Sequence, residues 1–175
     1  MTSSQDSTIK SVRGQLSDHQ LQWLKFLPAT MELGGKLLLC HGTPENDEEY
    51  LLTKVSASGV ASRSAEDLEE MLAGIEFEVI LCGHDHTQAE VRLPSGRMVL
   101  NPGSVGLPAF TDELPLPHEI AVGSPHARYS ILEQSRLGWS AEHCEVEYDW
   151  ERAAETAVRS GRSDWGHWLR TGLSA

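Results

Sequence analysis

The chain has 175 residues, enough for one domain with a substantial hydrophobic core and too few for two full ones. Hydrophobic residues make up 39% and charged residues 23%, which is typical of a soluble globular protein, and no apolar run approaches the roughly 20 residues that span a bilayer. The net charge of -12 excludes nucleic-acid binding by general surface attraction, which needs clustered Lys and Arg. The polar N-terminus lacks the apolar core of a signal peptide, so we expect a cytoplasmic protein.

The first predicted elements are a capped helix and a hairpin that follow a loose segment, residues 1–14. Ser17 and Gln20 form a capping-box pattern, and Pro28 ends the helix. Gly34-Gly35 then separates two short apolar runs, which predicts a hairpin that enters the strand Lys36–Cys40. We expect the remainder, residues 15–175, to form a single domain.

The middle of the chain predicts a helix, a buried strand and a second hairpin. Pro44–Glu49 is an acidic loop, and Tyr50–Val55 gives no clear pattern. Ser64 begins a helix, whose apolar residues recur at helical spacing, and Phe77–Cys82 reads as a strand. The second hairpin joins Glu90–Leu93 to Arg97–Leu100 through a Pro-Ser-Gly turn.

The last third predicts a long loop, two strands and helices. Asn101–Phe110 is rich in Gly and Pro, and we expect loop as far as His126. Arg128–Glu133 and Trp139–Val146 alternate as antiparallel strands. The tail is helical and is expected to cover one sheet face, with the helical tryptophans in the core: Trp23, Trp150, Trp165 and Trp168.

Three histidines follow the two most apolar strands. His41 comes directly after Lys36–Cys40, and His84 and His86 come after Phe77–Cys82. Chemistry in such sheets lies beyond the carboxyl ends of the strands, and neutral imidazole is the commonest metal ligand in proteins. If the segment is extended, alternation points the side chains of His84 and His86 the same way. Gly42 and Gly83, which have no Cβ, would let the backbone turn sharply beside the site. The sequence therefore predicts a metal site, although each histidine taken singly is more often satisfied by a backbone carbonyl.

The ordered motifs LLLCHGTP, LCGHDHT and NPGSVGLP resemble the calcineurin-like metallophosphoesterases, in particular their small bacterial phosphodiesterase branch. The resemblance implies an α/β fold, the αββα sandwich of that superfamily, incomplete at the N-terminus. It implies that His41, His84 and His86 are metal ligands, with the last two usually on different metals, and that the side chain of Asp85 points away from the metals. Divalent transition metals (Mn, Fe, Zn or Ni) are the implied cofactors.

Part of the family's ligand set is missing from the sequence. The Asp-x-His, the Gly-Asp with its bridging carboxylate, and the Gly-Asn-His-Asp or Glu do not occur anywhere in the chain. We therefore expect the C-terminal, truncated part of an enzyme, which holds at most one metal in place of two and is weak or inactive alone. The lost strands would leave an open sheet edge that another copy or a partner chain could cover.

Further candidates are weaker. His118 and His126 flank a Pro-rich loop, and either could protonate a leaving group, although surface roles are commoner for isolated histidines. Asn101 and Ser104 are candidates for the substrate pocket, with a structural turn as the alternative. Cys40 and Cys82 are interpreted as small buried strand residues rather than as zinc ligands.

Two functions remain open. The first is a hydrolase, a metal-dependent phosphoesterase acting on a small phosphomonoester or phosphodiester, without membrane association. The second is a catalytically silent scaffold or protein-interaction subunit of the same fold, as in the metallophosphoesterase-like subunit of the retromer complex.

Overall fold

The computed structural model describes residues 3–175, with side chains from Thr8 onwards. The helices are α1 (Ser3–Gln15), α2 (Asp18–Lys25), α3 (Ala65–Met71), α4 (Trp150–Arg159) and α5 (Ser163–Thr171). The strands are β1 (Thr30–Leu33), β2 (Leu37–Cys40), β3 (Thr53–Ser56), β4 (Gly59–Ser62), β5 (Val79–Leu81), β6 (Ala89–Arg92), β7 (Met98–Asn101), β8 (Ala109–Asp112), β9 (His118–Ala121), β10 (Ala127–Ser135) and β11 (Gly138–Val146).

A five-stranded mixed sheet with the order β1-β2-β5-β7-β6 lies at the centre of the fold. Strands β2, β5 and β7 run parallel, and the two predicted hairpins place β1 and β6 antiparallel at the edges. Leu39 of β2 lies opposite Leu81 of β5, so both strands end at the same level of the sheet. This register brings the residues that follow β2 next to those that follow β5.

The two faces of the sheet bury different partners, because successive strand residues point to opposite sides. On one face Ile80 and Val99 pack with Leu68 and Leu72 of the α3 region, all fully buried. On the other face Val79, Met98 and Leu100 pack against the β10–β11 hairpin through Leu132, Trp139 and Ala141. A helix therefore covers one face and a second, antiparallel sheet covers the other, which confirms the predicted mixed α/β sandwich.

Five elements differ from the sequence predictions. The segment predicted to be loose forms α1, and the β3–β4 hairpin begins within Tyr50–Val55, which gave no clear pattern. The predicted loop before His126 contains a further antiparallel pair, β8 and β9. These strands have four residues each, too few for alternation to be recognised among Pro and Gly.

The C-terminal helices and one tryptophan lie elsewhere than predicted. Helices α4 and α5 pack on each other, and α5 contacts β8 of the small β8–β9 sheet, so the hairpin and not these helices covers the central sheet face. Trp168 is buried as predicted, but the Trp23 side chain is 61% exposed, because α2 buries none of its residues. Helical spacing identifies an apolar face without showing what that face contacts.

None of the helices in the described part of the chain combines the length and apolar character needed to cross a membrane.

Candidate histidine site

His41 and His84 meet at the carboxyl end of the central sheet. Their ring centroids are 4.8 Å apart with an interplanar angle of 44°. The backbone joins the two segments, since the N–H of Gly83 donates to the carbonyl of His41 at 2.8 Å. The predicted proximity of these two histidines therefore follows from the parallel register of β2 and β5.

His86 has its own contacts, with Leu107 and Phe110. Its Nδ1 lies 2.7 Å from the carbonyl oxygen of Leu107, and its ring packs edge-on against Phe110 with centroids 5.0 Å apart. A carbonyl can only accept a hydrogen bond, so Nδ1 carries the proton and Nε2 remains available as an acceptor or ligand.

His84 and His86 do not lie on an extended segment, so the prediction from strand alternation is wrong. Both residues adopt left-handed backbone conformations, with φ of 69° and 57°, so the segment between β5 and β6 is not extended. Side chains that follow left-handed residues do not alternate as in a strand.

Burial keeps two of the histidines in the neutral form that binds metals. The pKa of His84 is lowered by desolvation and then by the charges of His41 and His86, against the raising effects of the Glu48 carbonyl and Asp112. The pKa of His86 is also lowered by desolvation, while the Leu107 carbonyl and Asp85 act in the opposite direction.

Asp85 lies beneath the loop and fixes its shape. The residue is 1% exposed, and its carboxylate accepts hydrogen bonds from the Thr53 hydroxyl at 2.5 Å and the Asn101 amide at 2.6 Å. The backbone N–H of Thr87 donates to the same carboxylate at 2.9 Å. Burial raises the pKa of Asp85, and these hydrogen bonds counteract part of that rise.

A cleft of about 1400 Å³ opens beside the histidine pair. Its walls combine His41 and His84 with Tyr50 and His118, and carboxylates of the loop after β2 and of the end of β8 also line it: Asp47, Glu48, Glu49, Asp112 and Glu113. The Tyr50 ring packs against His84 at a tilt of 52°, with ring centroids 4.6 Å apart. Tyr50 and Asp112 could not be identified from the sequence, because neither belongs to a motif and their positions depend on how distant segments fold together.

The other predicted site residues do not line this cleft. Asn101 is fully buried under the loop, where its amide also donates to the Gly83 carbonyl at 2.9 Å. The Ser104 hydroxyl accepts from the backbone N–H groups of Gly106 and Leu107, which is the structural turn given as the alternative. His126 bonds to the Ser124 hydroxyl and stacks on Trp150, away from the histidine pair.

The two strand cysteines have structural surroundings. The Cys40 thiol points to the carbonyls of Gly42 and Leu81, and desolvation raises its pKa to about 11. Cys82 is 5% exposed within the core, and burial raises its pKa as well. A thiol with a raised pKa is a poor metal ligand, because the thiolate is the ligand form.

The donors present fit a metal only in part. Two imidazoles with centroids 4.8 Å apart can both reach one cation, since Zn–N bonds are about 2.0–2.1 Å. Across the described residues, however, no set of three or more His, Cys, Asp or Glu side chains converges so that it could hold a metal ion. Among the described residues, His41 and His84 alone would therefore supply two ligands, which is fewer than a complete metal site requires.

Comparisons with known proteins identify the family. A family model described as "Calcineurin-like phosphoesterase superfamily domain" matches residues 2–120. A metallophosphoesterase crystal structure from Sphaerobacter thermophilus is similar with a TM-score of 0.65 and 21% identity, over 91% of this chain and 65% of that chain. A Vps29 structure from Entamoeba histolytica has 18% identity and a TM-score of 0.36, over 70% of this chain and 63% of that chain. No protein of curated function matches the sequence.

Proposed function

Because the chain belongs to the calcineurin-like phosphoesterase superfamily, we propose that it serves the metal-dependent hydrolysis of a small phosphomonoester or phosphodiester. The observation that carries this proposal is the contact of His41 with His84 at the end of two parallel strands. The lowered pKa values of His84 and His86 support it, since only a neutral imidazole can bind a metal.

The outer contacts of the histidines support the same role. One ring nitrogen of His86 donates to the Leu107 carbonyl, and the backbone of Glu48 acts to raise the pKa of His84 against the lowering effect of burial. Metal-binding histidines usually donate their second ring N–H to a carbonyl or carboxylate in this way. A divalent transition metal would supply a nucleophilic water and compensate the phosphoryl charge.

The charge around the cleft favours small substrates. Carboxylates of the 47–49 loop and of β8 line its rim, and the whole chain carries a net charge of -12. A long polyanion would be repelled from such a rim, whereas a single phosphoester needs positive charge at one point only.

Metal binding and hydrolysis test the proposal together. Zn²⁺ or Mn²⁺ titration by calorimetry is expected to show one weak site in the wild-type chain, which His84→Ala removes. Prolonged incubation with bis-p-nitrophenyl phosphate and Mn²⁺ is expected to give slow turnover that the same variant abolishes. His143→Ala is the matched control, because His143 lies on β11 outside the cleft and bonds to Ser130. Metal binding and turnover that do not depend on His84 would overturn the proposal.

A catalytically silent scaffold is the second candidate. It is favoured by the incomplete ligand set of the described residues and by the exposed apolar segment that includes Trp23 and Phe26, which are 61% and 79% exposed. A wild-type chain that binds no metal and hydrolyses no ester would support this candidate over the enzyme.

A further inference from the structure

Tyr50 connects the histidine pair to His118. Its ring packs against His84 at a tilt of 52° with centroids 4.6 Å apart, and its hydroxyl oxygen lies 2.9 Å from Nε2 of His118. Tyr50 is 5% exposed and His118 is 8% exposed, and both form part of the wall of the cleft. The four rings of His41, His84, Tyr50 and His118 thus lie in succession along one side of the cleft.

The hydrogen bonds fix the tautomer of His118. Its Nδ1 lies 2.8 Å from the carbonyl oxygen of Leu116, which can only accept, so Nδ1 carries a proton. In neutral His118 the other nitrogen, Nε2, is then an acceptor, and the Tyr50 hydroxyl must donate to it. In protonated His118 the direction reverses: Nε2–H donates to the Tyr50 oxygen, and the hydroxyl proton of Tyr50 is free to turn towards the cleft.

We propose that Tyr50 and His118 form a proton relay that protonates the leaving group of the substrate. This inference rests on the proposed phosphoesterase function and adds the catalytic group that delivers the proton. Tyr50 is the residue that would touch the leaving-group oxygen, and His118 supplies the proton through it.

The step balances in protons and bonds. The oxygen of the attacking water forms a bond to phosphorus while the bond from phosphorus to the leaving oxygen breaks. The electron pair of the broken bond stays on the leaving oxygen, which takes the proton of the Tyr50 hydroxyl. The Tyr50 oxygen takes the Nε2 proton of His118, which becomes neutral, and the proton released by the attacking water passes to solvent and restores His118.

The β8–β9 hairpin holds the hydrogen-bond partner of the Tyr50 hydroxyl, since His118 lies on β9. Asp112 lies on β8 opposite His118 on β9, and its carboxylate accepts from the backbone N–H groups of Glu113 and Leu114. The β8–β9 hairpin therefore brings both His118 and a negative charge to the phenol.

The dependence of the rate on the leaving group tests the relay. A proton donor matters little when the leaving group is p-nitrophenolate, which is stable as an anion, and matters greatly for phenolate or an alkoxide. In Tyr50→Phe we expect the Mn²⁺-dependent rate on phenyl esters to fall by roughly a hundredfold, with a much smaller loss on p-nitrophenyl esters. His118→Gln is expected to behave alike, because Gln keeps an acceptor for the Tyr50 hydroxyl but cannot supply a proton.

Two variants control for the loss of a hydroxyl or a ring elsewhere. Tyr148→Phe removes a buried hydroxyl that has no hydrogen-bond partner, and His143→Gln changes a histidine outside the cleft. Neither should alter the ratio of the phenyl to the p-nitrophenyl rate. Nitrogen-15 NMR of the wild-type chain, which needs no activity, should show neutral His118 protonated at Nδ1.

Each outcome decides between the proposals. A selective loss on phenyl esters in both relay variants supports the relay, whereas an equal loss on both esters, or no loss, overturns it while the phosphoesterase function stands. His118 protonated at Nε2 in its neutral form would also overturn the relay. A wild-type chain that hydrolyses neither ester would overturn the proposed function and the relay with it.

Discussion

The loop of His84, Asp85 and His86 stores backbone strain at the centre of the site. Its two histidines have φ of 69° and 57°, and a non-glycine residue in a sparsely populated region costs about 1–3 kcal/mol. Such strain persists only where surrounding contacts over-determine the conformation. Here the contacts come from the residue between the histidines, since the buried carboxylate of Asp85 ties the loop to Thr53 of β3 and Asn101 of β7.

Two replacements of Asp85 should show whether its hydrogen bonds or its negative charge stabilise the loop. Asn keeps an oxygen that accepts from Thr87 and Asn101, and its amide can donate to the Thr53 hydroxyl, so we expect Asp85→Asn to change stability by less than about 1 kcal/mol. Asp85→Ala leaves buried donors unpaired, each at a cost of about 1–3 kcal/mol. Urea unfolding followed by tryptophan fluorescence measures both, and equal losses in the two variants would contradict this account.

The lowered pKa values of His84 and His86 predict less stability in mild acid. An unfolded histidine titrates at about pH 6.5, so between that pH and the lower folded pKa the unfolded chain binds more protons. The free energy of unfolding therefore falls as the pH drops through this range and levels off below the folded pKa. The raised pKa of Asp85 contributes with the opposite sign, because the folded chain then holds the extra proton.

The variant His84→Gln tests how much His84 contributes to the pH dependence of the free energy of unfolding. Urea unfolding between neutral pH and pH 5 should show a shallower decline in His84→Gln than in the wild type, while Asp85 contributes equally to both. If the free energy of unfolding changes with pH equally in the variant and the wild type, His84 is not the group that titrates.

At the scale of elements, the loop after β2 depends on close backbone packing at Gly42. A Cβ at this position would collide with the carbonyl oxygen of Glu49 and would lie 2.8 Å from that of Asn46. The same loop contains Glu48, whose backbone acts on the pKa of His84, and leads into Tyr50. The glycine is therefore required by the loop that supports the site.

Alanine at the two motif glycines should have unequal effects. Gly42→Ala forces two backbone carbonyls to move. We therefore expect the free energy of unfolding to fall by about 1–3 kcal/mol, the usual cost of overpacking. Gly83→Ala should be nearly neutral, because its Cβ would lie 3.6 Å from the His41 carbonyl, an ordinary contact, and its φ is not positive. Thermal unfolding of the two variants compares them directly, and equal losses would show that both glycines are required, as the sequence motif suggests.

Elements with local signals could be predicted from the sequence. The capping box of Ser17 and Gln20 is present in α2, and the Gly34-Gly35 turn joins β1 to β2. Both signals act over a few residues, so they survive in any tertiary context. The β3–β4 and β8–β9 pairs could not be predicted, because their four-residue strands depend on partners that local patterns do not reveal.

The residues of the site, too, could be predicted only where local sequence patterns determine their positions. The meeting of His41 and His84 follows from two apolar strands that end at one edge, which the sequence indicates. The left-handed backbone of His84 and His86 could not be predicted, because it is supported by Thr53 and Asn101, residues distant in sequence. Tyr50 could not be found either, because its place beside His84 depends on how the loop after β2 folds back.

At the scale of the whole molecule, an apolar surface lies beside an open sheet edge. Within the described residues 3–175, strand β1 pairs with β2 alone and forms one edge of the central sheet. Six large side chains of the segment 23–33 are exposed: Trp23, Leu24, Phe26, Leu27, Met31 and Leu33. An edge strand next to exposed apolar side chains favours pairing with another chain.

This surface should make the isolated chain self-associate. We expect a concentration-dependent increase in sedimentation coefficient that grows with salt, because salt screens the repulsion between chains of net charge -12. The double variant Phe26→Glu and Met31→Glu places charges on the apolar surface and on the edge strand, and it should sediment as a monomer under the same conditions. Leu137→Glu is the matched control, since Leu137 is fully exposed at the tip of the β10–β11 hairpin and should leave association unchanged. If Leu137→Glu abolishes association as well, general charge and not this surface governs it, and a wild-type chain that stays monomeric at every concentration and salt would contradict the prediction outright.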